Sequence, residues 1–168
     1  MNTPCLKFSP KEGTAHAVVA NVHFAAKINS GADACIDVQQ GVFTLKESDV
    51  LGAGVRPAVR INGGTVMLEK NRISAGSEGV FVAQQHSLSQ SFIIDNKILQ
   101  NKVGVDIANG TMYSYDAKAL NGFFENGTDG TPADYAALHA RPGLETPNLN
   151  SGNVFNGFAF TDNGQVLD

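Results

Sequence analysis

Two stretches decide the fold: NRISAGSEGVFVAQQ, residues 71–85, and NKILQNKVGVDIANG, residues 96–110. Shifted by 25 residues, they superpose Asn71 on Asn96, Ile73 on Ile98, Val80 on Val105 and Val82 on Ile107. A period of this length marks a repeat architecture, in which each unit cannot bury its apolar face alone and stacks on its neighbours. Working outward, LKESDV at Leu45 and IIDNKI at Ile93 join LEKNRI at Leu68, in steps of 23 and 25 residues. Ser48, Asn71, Asn96 and Asn121 align, and Val50, Ile73, Ile98 and Phe123 follow two places behind. NVHF at Asn21 reads as an earlier, divergent unit.

A second series runs in parallel. CIDV at Cys35, AVRI at Ala58, GVFV at Gly79 and GVDI at Gly104 align on Ile36, Val59, Val80 and Val105. Val38, Ile61, Val82 and Ile107 stand two residues later, the alternation of a half-buried strand. Asp37, Arg60, Phe81 and Asp106, between the apolar positions, are expected to point outward. Strands of three to five residues, separated by Gly, Asn and Ser, leave no room for a helical period. Antiparallel hairpins explain the short strands but not two series at one fixed offset. A parallel coil explains both, with Asn71, Asn96 and Asn121 at a bend as an inward amide ladder. Asn and Gly suit the left-handed backbone of such a corner.

Composition agrees. The 168 residues include 18 Gly and fifteen Asn, six of which precede Gly. That is turn chemistry repeated along the chain, and 168 residues suffice for one domain. Hydrophobic residues make up 42%, enough for a core, and the net charge of −4 argues against a nucleic-acid-binding stripe. No apolar run reaches the roughly 18 residues of a membrane span. The start, MNTPCLKFSPKEG, lacks the hydrophobic stretch of a secretory leader, which fits a cytoplasmic or phage-associated protein or a fragment without its leader. Cys5 and Cys35 permit one bridge, but the reading favours two separate thiols, with Cys35 a small buried hydrophobe. Asn109-Gly110-Thr111 and Asn126-Gly127-Thr128 match the glycosylation pattern, here read as coincidence among Asn-Gly turns.

On the residues of 71–85 and 96–110, the chain resembles the right-handed parallel β-helix, the pectin-lyase-like family of carbohydrate-binding and sugar-hydrolase repeats. The resemblance covers about residues 17–126. It implies an all-β, single-stranded coil of about five rungs, roughly 24 Å tall at the usual strand spacing. Residues 1–16 are expected to cap one end and 127–168 the other. In that second cap, Thr131-Pro132-Ala133-Asp134 starts a short helix running to about His139. The last stretch is either a hairpin around Asn156-Gly157, which is slightly favoured, or a final rung.

The outward row Asp37, Arg60, Phe81 and Asp106, with His86 in the turn after Phe81, is the candidate binding groove. Guanidinium groups clasp carboxylates and aromatic rings stack on sugar faces. The plainer reading is a solvated face with charges paired across rungs. His86 is the best candidate for proton transfer, though a lone loop histidine lacks the partners that catalysis needs. Pectate lyases of this fold use calcium-binding Asp clusters and a catalytic Arg, for which only scattered Asp37, Asp106 and Arg60 offer matches. The aspartate and Gly-His-Gly motifs of polygalacturonases and the Asp-Pro-His of alginate epimerases are absent. No zinc, phosphate-loop, dinucleotide or nucleophile-elbow motif occurs, so no cofactor or metal is expected.

A second outward row, Thr44, Met67 and Phe92, forms a modest apolar patch. The reading favours its burial by the tail, with Phe155, Phe158 and Phe160, over a homo-oligomeric side-face interface at Met67 and Phe92. The expectation is therefore a polysaccharide- or glycan-recognition module. The alternatives are a small polysaccharide lyase or hydrolase and a structural coil of the phage-tail, adhesin or protein-recognition kind.

Overall fold

The computed structural model describes residues 3–27, 32–84, 89–114, 121–126, 136–140, 153–155 and 159–161. The first coil comprises β1 (Leu6–Phe8), β2 (His16–Ala20) and β3 (His23–Ala25), and the second β4 (Ile36–Val38), β5 (Val42–Lys46) and β6 (Asp49–Leu51). The third is β7 (Val59–Ile61), β8 (Thr65–Glu69) and β9 (Arg72–Ser74), and the fourth β10 (Glu78–Ala83), β11 (Gln90–Ile94) and β12 (Lys97–Leu99). A fifth follows with β13 (Val103–Asn109), β14 (Met112–Ser114) and β15 (Asn121–Phe124), then β16 (Ala136–Ala140), β17 (Asn153–Phe155) and β18 (Ala159–Thr161). Every pairing among them is parallel, and each of the five coils places one strand in each of three sheets. The chain is a parallel β-solenoid, and the described residues contain no helix.

The two repeat series become stacked columns. Val59 pairs with Ile36 and Val80, and Val80 with Val105, all 0% exposed. Leu45, Leu68 and Ile93 stack in the second sheet, and Val50, Ile73, Ile98 and Phe123 in the third. Each such burial contributes about 1.5–3 kcal/mol before conformational entropy is subtracted. One column carries a polar member: Ser91 lies between Val66 and Met112, and its Oγ accepts from buried Gln84 Nε2 at 3.0 Å. Gln84 Oε1 in turn accepts from the Thr111 N–H at 3.0 Å, so this glutamine plugs the core.

The corners differ from the expectation in an instructive way. Asn71, Asn96 and Asn121 do form an inward ladder, but none of them has the left-handed backbone. Glu47, Lys70 and Asp95, directly in front of Ser48, Asn71 and Asn96, do, with φ of 49, 54 and 53°. Turning there swings the next side chain into the core, where its amide reaches the neighbouring coil. A second ladder stands at the other corner, behind Ala75, Gln100 and Glu125 (φ 56, 55 and 54°). There the Gly76 N–H donates to Asn101 Oδ1 at 2.8 Å and the Asn101 N–H to Asn126 Oδ1 at 3.1 Å. Asn21 (φ 57°) belongs to the first kind of corner, and Val22 follows it where later coils carry the ladder residue. Between the first and second sheets, Gly41 and Gly64 stack at φ of 88 and 83°, where a side chain would strike backbone.

Three expectations need correction. Cys5 and Cys35 are joined as a disulfide, because the parallel register of β1 with β4 brings their Cα atoms to 4.8 Å. Leu6–Phe8, inside the expected cap, is thus a strand of the first coil. Residues 131–135 lie outside the described residues, but Ala136–Ala140, expected as the end of a helix, is a strand. It pairs with β13, Leu138 opposite Val105, so pairing with an open edge prevails over the Thr-Pro helix signal. Asn153–Phe155 and Ala159–Thr161 form no hairpin: β17 extends the third sheet beside β15, and β18 extends the first beside β16.

Candidate functional site

The outward row of the first sheet is in register as read. Asp37 lies opposite Arg60, Arg60 opposite Phe81, and Phe81 opposite Asp106. The row is longer than the sequence revealed: Lys7 precedes Asp37, and the backbone positions of His139 and Phe160 continue it beyond Asp106. The first was hidden in the expected cap and the others in the expected helix and hairpin.

The members differ in availability. Asp37, expected to face solvent, is only 6% exposed. Gln39 Nε2 donates to both of its carboxylate oxygens at 2.7 Å, and Asn62 Nδ2 donates to Oδ1 at 3.0 Å. Side chains two residues further along, one on its own segment and one beyond its partner Arg60, fold over it. Asn62 is a hinge between two groups, since its Oδ1 accepts from Arg60 Nε at 3.0 Å. The chain of contacts Asp37–Asn62–Arg60 fixes the root of the guanidinium. Its far end meets the exposed Asp33 carboxylate at 3.4 Å, a contact open to solvent and therefore easily exchanged. Phe81 and Asp106 are half-buried.

Arg60 and Phe81 open onto a trough of about 400 Å³, bordered by Arg56, Pro57, Ser77 and Glu78 and walled by Asp33 and Val55. The loop before β7 supplies Val55, Arg56 and Pro57, and Arg56 is exposed at the rim. The two row carboxylates do not border it. Three strand steps separate Asp37 from Asp106, about 14 Å at the usual spacing of about 4.8 Å. Paired-carboxylate glycoside hydrolysis requires roughly 5–9.5 Å. His86 lies outside the described residues.

A second concavity, of about 620 Å³, was not anticipated. It lies on the third sheet among His23, Asp49, Lys70 and Arg72. His23 Nδ1 and Arg72 Nη1 approach opposite oxygens of Asp49 at 3.5 and 3.8 Å. These are exposed cross-strand pairs of the kind that order a sheet face. The signal was present in the 23-residue step from Asp49 to Arg72, which the inward ladder overshadowed.

On the second sheet, Thr44, Met67 and Phe92 do lie side by side, with Val18 before them and Tyr113 after. Phe92 and Tyr113 stack at 5.3 Å between ring centroids. The tail strands run elsewhere: Phe155 is in register with Phe123 and Phe160 with His139, on the other two sheets. Phe158 lies outside the described residues. Asn126 is 0% exposed within its ladder, so the second glycosylation pattern is structural.

No described group of three or more His, Cys, Asp and Glu is placed to hold a metal ion, and no described helix is long and apolar enough to cross a membrane. Compared with known proteins, the chain matches no family, no curated sequence and no solved structure.

Proposed function

We propose that the trough at Arg60 and Phe81 binds a glycan chain, and that the protein is a recognition module. The observation that carries this is the anchoring of Arg60. A guanidinium held at Nε by Asn62 while its outer end meets exposed Asp33 is oriented and yet exchangeable. Next to it, half-buried Phe81 offers a ring for a pyranose face, and Ser77 and Glu78 offer hydroxyl partners. Its lining comes from three successive coils, Asp33 before β4, Arg56 to Arg60 at β7 and Ser77 to Phe81 at β10, so a chain laid across them would meet more than one rung. Catalysis is the weaker reading, because Asp37 spends both oxygens on Gln39 and Asn62.

The test is a panel of neutral and acidic oligosaccharides screened on an array and followed by calorimetry. Binding without turnover is expected, weakened at least tenfold by Phe81→Ala and by Arg60→Gln. New reducing ends or unsaturated uronates would establish an enzyme instead. No binding across the panel would leave the trough without this role.

A further inference from the structure

We propose that Asn109-Gly110 is a modification site, at which the folded chain converts its own asparagine into aspartate and isoaspartate. The Gly110 backbone nitrogen attacks the Asn109 side-chain carbon Cγ. A C–N bond forms, the Cγ–Nδ2 bond breaks and ammonia leaves, which closes a succinimide ring. Water then opens the ring, its hydroxyl going to one carbonyl carbon and its proton to the Gly110 nitrogen. Opening at Cγ gives aspartate, and opening at the main-chain carbonyl gives isoaspartate. Solvent water is the one co-reactant, and no oxidation state changes.

Glycine in second place favours this chemistry, because it has no side chain to hinder the approach of its nitrogen. Four of the six Asn-Gly pairs have their asparagine among the described residues, at Asn62, Asn109, Asn121 and Asn126. The fold shields three of them. Asn121 is 1% exposed, and its Oδ1 accepts from both nitrogens of Asn96. Its attacking nitrogen is occupied as well, since the Gly122 N–H donates to the Asn96 carbonyl at 2.8 Å. Asn126 is 0% exposed, with Oδ1 accepting from Asn101 and Nδ2 donating to the Ile98 carbonyl at 2.7 Å. Asn62 is 8% exposed and held at both ends of its amide, by Asp37 and by Arg60. Groups tied into the core in this way react only when it opens.

Asn109 is placed differently. It is exposed, at the last position of β13. Val82 pairs with Ile107 but Ala83 with Asn109, so Ala108 is an extra residue that bulges the strand just before it. Gly110 follows with φ of 107°. Among the described residues, neither Asn109 Oδ1 nor the Gly110 N–H has a hydrogen-bond partner. Carbonyl and nucleophile are thus both free, at a point where the regular strand has already ended.

The product would change the core plug. Asn109 clasps Gln84 from two sides: its carbonyl accepts from the Gln84 N–H at 3.0 Å, and its Nδ2 donates to the Gln84 carbonyl at 2.8 Å. Either product loses that Nδ2 donor and sets a negative charge near an acceptor. Isoaspartate also adds one carbon to the backbone between β13 and β14. Gln84 is the residue that holds Ser91 and the Thr111 N–H, so the modification loosens the fifth coil at its tie to the fourth.

Peptide mapping of the native 168-residue chain, aged at mildly alkaline pH, tests this by mass and by labelling with an isoaspartate-specific methyltransferase. The Asn109 peptide is expected to gain the amide-to-acid mass change and the label at least tenfold faster than the peptides of Asn62, Asn121 and Asn126. In urea the four rates should converge, and Asn109→Ser should abolish the native label at this peptide. Should that variant unfold, the native and urea rates of the wild type decide. An Asn109 peptide that reacts in urea but not in the native chain, or no faster than Asn62 in the native chain, would overturn the proposal.

Discussion

Asn96 and Asn121, 25 residues apart in the chain, meet twice at one atom. The Asn96 N–H donates to Asn121 Oδ1 at 3.0 Å, and Asn96 Nδ2 donates to the same oxygen at 2.9 Å. Asn96 Nδ2 also reaches the Leu68 carbonyl at 2.8 Å, and Asn96 Oδ1 accepts from both nitrogens of Asn71. Each asparagine thus closes the backbone at a bend that the sheets cannot reach, in a place where water cannot substitute.

Asn96→Ala leaves the Leu68 carbonyl and the Asn71 N–H buried without their partner. At about 1–3 kcal/mol for each orphaned group, a loss of about 3–5 kcal/mol is expected in urea unfolding. Asn96→Asp keeps the acceptor but sets a carboxylate oxygen against the Leu68 carbonyl, and a comparable loss is expected. A loss below about 1 kcal/mol for both variants would mean that the ladder is not structural.

Ala75 holds φ of 56° at the second corner. A left-handed non-glycine residue costs about 1–2 kcal/mol, and glycine returns roughly 0.5–1 of this as extra chain entropy. Ala75→Gly is therefore expected to stabilise the protein by about 0.5–1 kcal/mol, read as a rise in the thermal midpoint. A fall would show that the methyl group packs usefully there.

The disulfide closes a 30-residue separation between the first and second coils. By chain entropy a loop of this size is worth about 3–4 kcal/mol. Thiol titration of the unreduced, unfolded chain should detect no free thiol. Cys5→Ser should lower stability by about 3 kcal/mol, with amide exchange rising first in β1 and β4. Two titratable thiols in the unreduced protein would contradict the bridge.

Asn62 couples the buried Asp37 carboxylate to the Arg60 guanidinium. In Asn62→Ala the arginine loses its anchor, and glycan affinity at the trough should fall several-fold while Phe81 remains in place. Calorimetry should assign the loss to a less favourable entropy, since a freer side chain must be ordered on binding. An unchanged affinity would place the binding determinants elsewhere in the trough.

The solenoid was legible because its period is written twice, once in apolar pairs such as Val80/Val82 and Val105/Ile107 and once in Asn71, Asn96 and Asn121. What escaped the sequence had physical reasons. Ala136–Ala140 has the composition of a helix, and only the open edge of β13 makes it a strand. The second ladder is broken at its first step, where Gly76 stands in place of an asparagine. The Cys5–Cys35 contact depends on the register of a strand that belongs to no visible repeat. Asp37 occupies an outward position, yet its neighbours Gln39 and Asn62 are long enough to cover it, which alternation alone does not reveal.

The constant 25-residue interval between Asn71, Asn96 and Asn121 makes the chain an evenly ruled scale. Excising residues 71–95 would join Lys70, already left-handed, directly to Asn96. That asparagine would then face the Ser48 N–H and the Leu45 carbonyl, the two groups that Asn71 serves now. Every pairing beyond the cut would slide down by one floor and find an equivalent neighbour. Length in this protein is consequently a quantity that whole-unit duplication or deletion can adjust while keeping the amide ladder and the apolar columns in step, whereas losing a single residue inside a unit displaces everything above it.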